Sequence, residues 1–183
     1  MKFVRGIVSD DPILGNNIPQ IAFIGRSNVG KSTLINTLTN SKIVRTSSFP
    51  GRTQEINLFL VNNSHYFVDL PGYGFARASG AGREKISSLI ESYLFNSLYE
   101  QKKIIFIIDA SVGMTDGDKA MLRDLEDNHK DFIIVTNKVD RMNQSEYHKK
   151  ITEIKNTVGA HTIIPFSSTK KIGVKPLLSE IFN

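Results

Sequence analysis

The chain has 183 residues, 40% of them hydrophobic and 22% charged, with no cysteine and a net charge of +5. That length suits one globular domain burying roughly 70% of its unfolded-chain surface. The lack of cysteine excludes disulfides and thiolate metal sites, and no apolar run approaches the ~18 residues of a membrane span. A basic balance fits nucleic acid as a partner and equally fits a lysine-rich solvated surface. The lysines fall in small groups, such as Lys102-Lys103, Lys149-Lys150 and Lys170-Lys171, without a basic tail. With no signal-peptide core behind Met1–Gly6, cytoplasm is the expected compartment.

Residues 1–19, with two prolines and little periodicity, read as an N-terminal arm with a short strand near Phe3–Val8. The first core strand is expected at Gln20–Ile24, followed by Gly25-Arg26-Ser27-Asn28-Val29-Gly30-Lys31-Ser32 and a helix from Thr33 to about Thr39. G-x-x-x-x-G-K-[ST] between a strand and a helix is the phosphate-binding loop. Its glycines let successive N–H groups face a phosphate, and the helix N-terminus adds partial positive charge. Lys31 would reach the terminal phosphates and Ser32 would ligate Mg²⁺.

Asn40 to Arg52 reads as a mobile loop. Ile56–Val61 and His65–Asp69, joined by three residues, must form an antiparallel hairpin. A glycine-rich loop, 71–82, leads to a helix over Arg83–Tyr99 with Ile86, Leu89, Ile90, Tyr93 and Leu98 on one face. Then come an apolar strand at Ile104–Ile108 ending in Asp109, a helix from Thr115 or Asp116, and a buried strand at Phe132–Val135. A helix starts at Asn143 with Glu146 as its capping-box partner, and Thr162–Pro165 and Pro176–Phe182 give the last strand and helix. Apolar strands alternating with helices define a parallel sheet covered on both faces. The expectation is a three-layer α/β/α domain over 20–183 with a six-stranded, mostly parallel sheet and one antiparallel edge strand. In such sheets ligands sit at the carboxyl ends of the strands.

Three further segments fall just after strand ends, and a fourth lies in the loop before the Ile56–Val61 strand. In Asp69-Leu70-Pro71-Gly72, the carboxylate can hold a water ligand of Mg²⁺ and the Gly72 N–H can meet a γ-phosphate. Asn137-Lys138-Val139-Asp140 matches Asn-Lys-x-Asp, the guanine-reading motif. The Asp140 carboxylate can accept from guanine N1–H and the 2-amino group, a pairing adenine cannot offer. Asn137 can tie this loop to the phosphate loop, and the Lys138 stem can lie over the base. In Phe166-Ser167-Ser168, the Ser168 N–H would donate to guanine O6. Thr53, in Gly51-Arg52-Thr53-Gln54, can supply a second protein oxygen to Mg²⁺, although Thr46 is an alternative.

On these segments, with Gly25–Ser32, Pro50–Gln54, Asp69–Gly74 and Phe166–Lys171 read as continuous strings, the chain resembles the EngB family of ribosome-biogenesis GTPases. The resemblance implies a Ras-like G domain of the P-loop NTPase class. It implies a GTPase with Mg²⁺, cycling between GTP and GDP, acting on the large ribosomal subunit as a monomer, with no DNA partner. It also implies that residues 25–33, 51–54, 69–72, 137–140 and 166–168 bind nucleotide, Thr33 included, with Lys31, Thr53 and Gly72 assisting hydrolysis. Two departures stand out. Asn137 replaces a common family threonine, and Asp109-Ala110-Ser111 replaces Asp-x-Arg.

Ras-like enzymes carry a water-orienting glutamine where this chain has Tyr73, and a phenol cannot reproduce a carboxamide's paired donor and acceptor. Slow intrinsic hydrolysis, stimulated by a partner, is the expectation. Arg52, Arg77 and Arg83 are candidates for charge stabilisation or plain solvent-facing residues. Asn28 resembles its counterpart in potassium-stimulated GTPases, which makes K⁺ a second cofactor to test. The rival readings are a GTP-gated regulator of a protein partner, for example in cell division and septation, and an RNA-binding protein with a degenerate nucleotide site. Intact Lys31, Ser32, Asp69 and Asp140 oppose the latter.

Overall fold

The computed structural model describes residues 1–44, 55–74 and 80–182. Strands β1 (Lys2–Ile7), β2 (Gln20–Gly25), β3 (Ile56–Val61), β4 (His65–Asp69), β5 (Lys103–Asp109), β6 (Phe132–Asn137) and β7 (Ile163–Pro165) form one sheet in the order β1-β3-β4-β2-β5-β6-β7. Helices α1 (Lys31–Leu38), α2 (Gly80–Leu94), α3 (Asp116–Asp127), α4 (Gln144–Val158) and α5 (Val174–Phe182) cover it.

The strand alternation sorts the core into two layers. Phe23, Ile105, Ile107 and Val135 face Leu34, Ile35, Leu177 and Ile181 of α1 and α5. Ala22, Phe106, Ile108 and Ile134 face Ile86, Ile90, Leu122, Leu125 and Ile154 of α2, α3 and α4. A strand buried on both faces needs apolar residues at every position, which is why β5 and β6 read as unbroken runs. The α/β/α sandwich is thus as expected.

The sheet has seven strands, one more than expected. β1 pairs antiparallel with β3 from Lys2↔Leu60 to Ile7↔Ile56, with a register shift between Phe3 and Arg5. The arm therefore carries an edge strand, and the antiparallel strand, β3, lies inside the sheet. Short-range periodicity is weak in β1 because only Ile7 is fully buried. The rest of the arm is held by Asn16 Nδ2 donating to the Tyr66 hydroxyl at 2.7 Å and by Gln20 Nε2 donating to the Leu14 carbonyl at 2.8 Å. Between β3 and β4, Asn62 and Asn63 both take positive φ, 51° and 55°, matching the twist a tight hairpin demands.

α2 starts at Gly80 and ends at Leu94, so Leu98 lies beyond it and is 89% exposed rather than on its inner face. Residues 41–44 are also less free than the sequence suggests. The Asn36 side-chain amide of α1 brackets Val44, donating from Nδ2 to its carbonyl at 2.7 Å and accepting at Oδ1 from its N–H at 3.0 Å, and Val44 is buried. The capping boxes of α3, Thr115 with Asp118, and α4, Asn143 with Glu146, are both formed.

Candidate nucleotide site

β2, β4, β5 and β6 are parallel neighbours, so their carboxyl ends open on one side. The phosphate-loop segment leaves β2 there. Asn28 and Gly30 take left-handed φ of 65° and 95°, curling the backbone into the start of α1. At Gly30 a side chain is excluded twice over, because a Cβ there would also lie 2.5 Å from Asn137 Nδ2. Gly72 packs against the same loop, with a Cβ position only 2.9 Å from Ser27 Cα.

Lys31 is buried, and its ammonium pairs with the Asp69 carboxylate from the end of β4. Each charge compensates the other where either alone would be costly to bury. Ser32 Oγ lies 3.4 Å from the second Asp69 oxygen. This hydroxyl–carboxylate pair is an all-oxygen donor set, the kind that suits Mg²⁺ completing its shell with phosphate and water oxygens. Among the described residues no three His, Cys, Asp or Glu side chains gather, so the fit is to a shared ion rather than an all-protein cage. Thr53, the other expected ligand, lies outside the described residues, as do Gly51, Arg52, Gln54, Thr46 and Arg77. Arg83 stands exposed in the first turns of α2, and Thr33 is exposed on α1.

The 137–140 segment is bolted to the phosphate loop. Asn137 Nδ2 donates to the Val29 carbonyl at 2.8 Å, and Lys138 Nζ donates to the Asn28 carbonyl at 2.6 Å. The Lys138 stem runs past Gly30, whose Cβ position would be 3.6 Å from Lys138 Cε. Lys138 Nζ also pairs with Asp109 Oδ2 at 2.6 Å. Burial raises the Asp109 carboxyl, but Lys138 and Ser111 outweigh it and hold the group below the usual carboxylate range. Ser111 is the source of two bonds to Asp109 Oδ1, from N at 3.1 Å and Oγ at 2.6 Å. Ser111 therefore anchors Asp109 at the position where the family pattern has arginine.

Asp140 is exposed and faces the 166–172 segment. Thr169 Oγ1 donates to Asp140 Oδ2 at 2.9 Å, and Ser167 Oγ lies 3.0 Å from Thr169 Oγ1. The Ser167 and Thr169 hydroxyls keep the Asp140 carboxyl below the ordinary range, hence ionised and ready to accept hydrogen bonds. Phe166 and Ser167 are fully buried, and Val139 N donates to the Phe166 carbonyl at 3.3 Å, so both segments form one floor. The Ser168 hydroxyl is buried with no hydrogen-bond partner among the described residues. Leu70 and Pro71 are buried behind Gly72.

The structure thus brings Gly25–Ser32, Asp69–Gly72, Asn137–Asp140 and Phe166–Ser168 to one edge of the sheet. Sequence reasoning missed Asp109 as a member of this cluster, and it gave Thr169, inside the 166–171 string, no role of its own. Asp109 was visible as an acid ending an apolar strand, but its pairing with Lys138 depends on the β5–β6 register, Asp109↔Asn137. Tyr73 is also placed differently from a water-orienting group. Its hydroxyl donates to Asp118 of α3 at 2.7 Å.

A mixed sheet with a phosphate loop after β2 and further loops from neighbouring strand ends converging on it defines a P-loop GTPase fold. A family model described as a 50S ribosome-binding GTPase matches residues 20–138, and one for the elongation factor Tu GTP binding domain matches 95–183. A probable GTP-binding protein EngB from Thermoanaerobacter pseudethanolicus is 38% identical over 182 residues, 98% of this chain and 94% of its own. The crystal structure of a probable GTP-binding protein EngB matches with a TM-score of 0.75 and 25% identity, over 89% of this chain and 96% of that one. The crystal structure of Era in complex with MgGDPNP and nucleotides 1506–1542 of 16S ribosomal RNA matches with a TM-score of 0.70 and 26% identity, over 89% of this chain and 55% of that one. The chain belongs to the EngB family of GTP-binding proteins.

Proposed function

We propose that this chain binds GTP and GDP with Mg²⁺, hydrolyses GTP slowly, and uses the nucleotide as a switch in assembly of the large ribosomal subunit. The observation that carries the nucleotide part is the double tether of Asn137 and Lys138 to the phosphate loop. It fixes a base-reading carboxylate, Asp140, relative to a phosphate cradle. Asp140 accepts from guanine N1–H and N2–H, Ser168 N–H donates to O6, and Lys31 releases Asp69 to meet the phosphates. Ser32 and Thr53 hold Mg²⁺, with Asp69 acting through water. The ion neutralises phosphate charge, while this chain's own groups orient the nucleotide.

Slow turnover follows from Tyr73, whose hydroxyl is committed to Asp118 and so is not free to align a water. A partner supplying the missing groups would add ~10³–10⁵ in rate. The segments that include Thr53 and Gly72 would order on the γ-phosphate and relax after hydrolysis. Asn28 is exposed, and its side chain bonds no described residue, which leaves its amide oxygen available to K⁺.

The ribosomal part rests on the matching family description and on the basic charge. The test is co-sedimentation with ribosomal subunits at several salt concentrations, in GTP and in GDP, with Lys31→Ala alongside. Nucleotide-dependent, salt-sensitive binding to the large subunit is expected. Equal binding in both nucleotides, or none, would overturn the switch reading. Turnover compared in K⁺ and Na⁺ tests the ion, and equal rates would remove it.

A further inference from the structure

Tyr73 connects two parts of the molecule that the nucleotide site does not otherwise join. On its backbone side it continues the β2–β4 ladder beyond the strand ends. Arg26 and Tyr73 form a parallel bridge, and Ser27 N donates to the Tyr73 carbonyl at 2.9 Å. On its side-chain side the ring lies over the first turn of α3, where a Cβ on Gly117 would sit 3.7 Å from Tyr73 Cε2. The hydroxyl donates to Asp118 Oδ1, and the other Asp118 oxygen accepts from Thr115 N at 2.8 Å and Thr115 Oγ1 at 2.7 Å.

Asp118 is 2% exposed, and these three donors compensate its burial. Burial and the neighbouring carboxylate push the Tyr73 phenol far above its ordinary range, so it stays a donor across the working pH range. One residue back stands Gly72, pressed onto Ser27. Gly72 is thereby gripped from one side by the phosphate loop and from the other, through Tyr73, by α3.

We propose that Tyr73 is a positioning residue for triphosphate recognition: its hydroxyl bond to Asp118 fixes the Gly72 N–H at the height above the phosphate loop where a γ-phosphate is met. The proposal rests on the GTP-binding reading above and adds the residue that discriminates GTP from GDP. GDP has no γ-phosphate, so loosening Gly72 leaves its binding almost untouched. Tyr73 also links that contact to α3, making the helix the element that senses whether the γ-phosphate is present.

The experiment measures affinities of fluorescently labelled GDP and GMPPNP for the wild type, Tyr73→Phe and Thr115→Ala, with melting temperatures. Tyr73→Phe keeps the ring and its packing and removes only the bond. GMPPNP affinity is expected to fall about five- to tenfold, at the low end of coupling between sites, while GDP affinity stays within about twofold. Thr115→Ala, which removes part of the α3 cap but leaves the Tyr73 hydroxyl paired, is expected to lower the melting temperature without moving the ratio of the two affinities. An unchanged ratio in Tyr73→Phe, a parallel loss of both nucleotides, or an equal shift in Thr115→Ala would overturn the positioning role. Failure of the wild type to bind either nucleotide would instead overturn the GTP-binding reading itself.

Discussion

Asp109→Asn separates the tether of the base-reading segment from everything that touches a γ-phosphate. In the native chain Asp109 Oδ1 takes two bonds from Ser111 and Oδ2 takes the Lys138 ammonium at 2.6 Å. The carboxamide keeps the Ser111 bonds only by turning its NH₂ toward Lys138, placing donor against donor. Lys138 must then move, and its 2.6 Å bond to the Asn28 carbonyl goes with it. A hydrogen bond to a charged group contributes about 1.5–3 kcal/mol. If that energy orients the base-reading segment, GDP and GTP-analogue affinities should each weaken ~10- to 150-fold, at 1.4 kcal/mol per decade.

The pair also has a pH signature. The folded Asp109 carboxyl titrates below its unfolded value of about 3.9, so its contribution is complete above that pH and is lost as pH falls through the folded pKa. The wild type should lose stability more steeply than Asp109→Asn as pH drops below about 4. Isothermal titration with both nucleotides, together with denaturation from pH 3 to 7, makes the measurement. Guanine affinity left intact in a folded variant, or a loss confined to the triphosphate, would refute the tether.

Gly30→Ala forces an L-residue into φ 95° and sets a methyl 2.5 Å from Asn137 Nδ2. Left-handed strain of about 1–2 kcal/mol and a lost amide bond of about 1 kcal/mol should appear as a lower melting temperature and loss of guanine-nucleotide binding. Asp140→Asn should shift preference from GTP toward xanthosine triphosphate in competition binding, because the carboxamide can donate where xanthine offers an oxygen; unchanged GTP affinity would sink the base-reading role. Removing residues 1–7 strips β1 from β3 and takes the buried Ile7 side chain out of the core. A melting temperature lower by about 5–10 °C, with aggregation through the bared β3 edge, is expected from calorimetry and light scattering.

Motifs with a fixed backbone geometry were readable along the chain. The phosphate loop needs glycine at Gly30, a strand before it and a helix after it, all local properties. The Asn62–Ser64 hairpin and the capping boxes at Thr115 and Asn143 are likewise local, and the doubly buried strands β5 and β6 announce themselves by having no polar face. What only the tertiary structure decided depends on strand order and register. β1 belongs to the sheet because β3 offers a free edge, and the one buried side chain at its end gives the sequence almost no periodic signal. Asp109 meets Lys138 because β5 and β6 are neighbours in register, and Tyr73 meets Asp118 because α3 begins beside the end of β4. These contacts join residues 29 and 45 positions apart. Local propensity is blind to such separations, since the energy that selects them comes from burial across the sheet rather than from neighbouring residues.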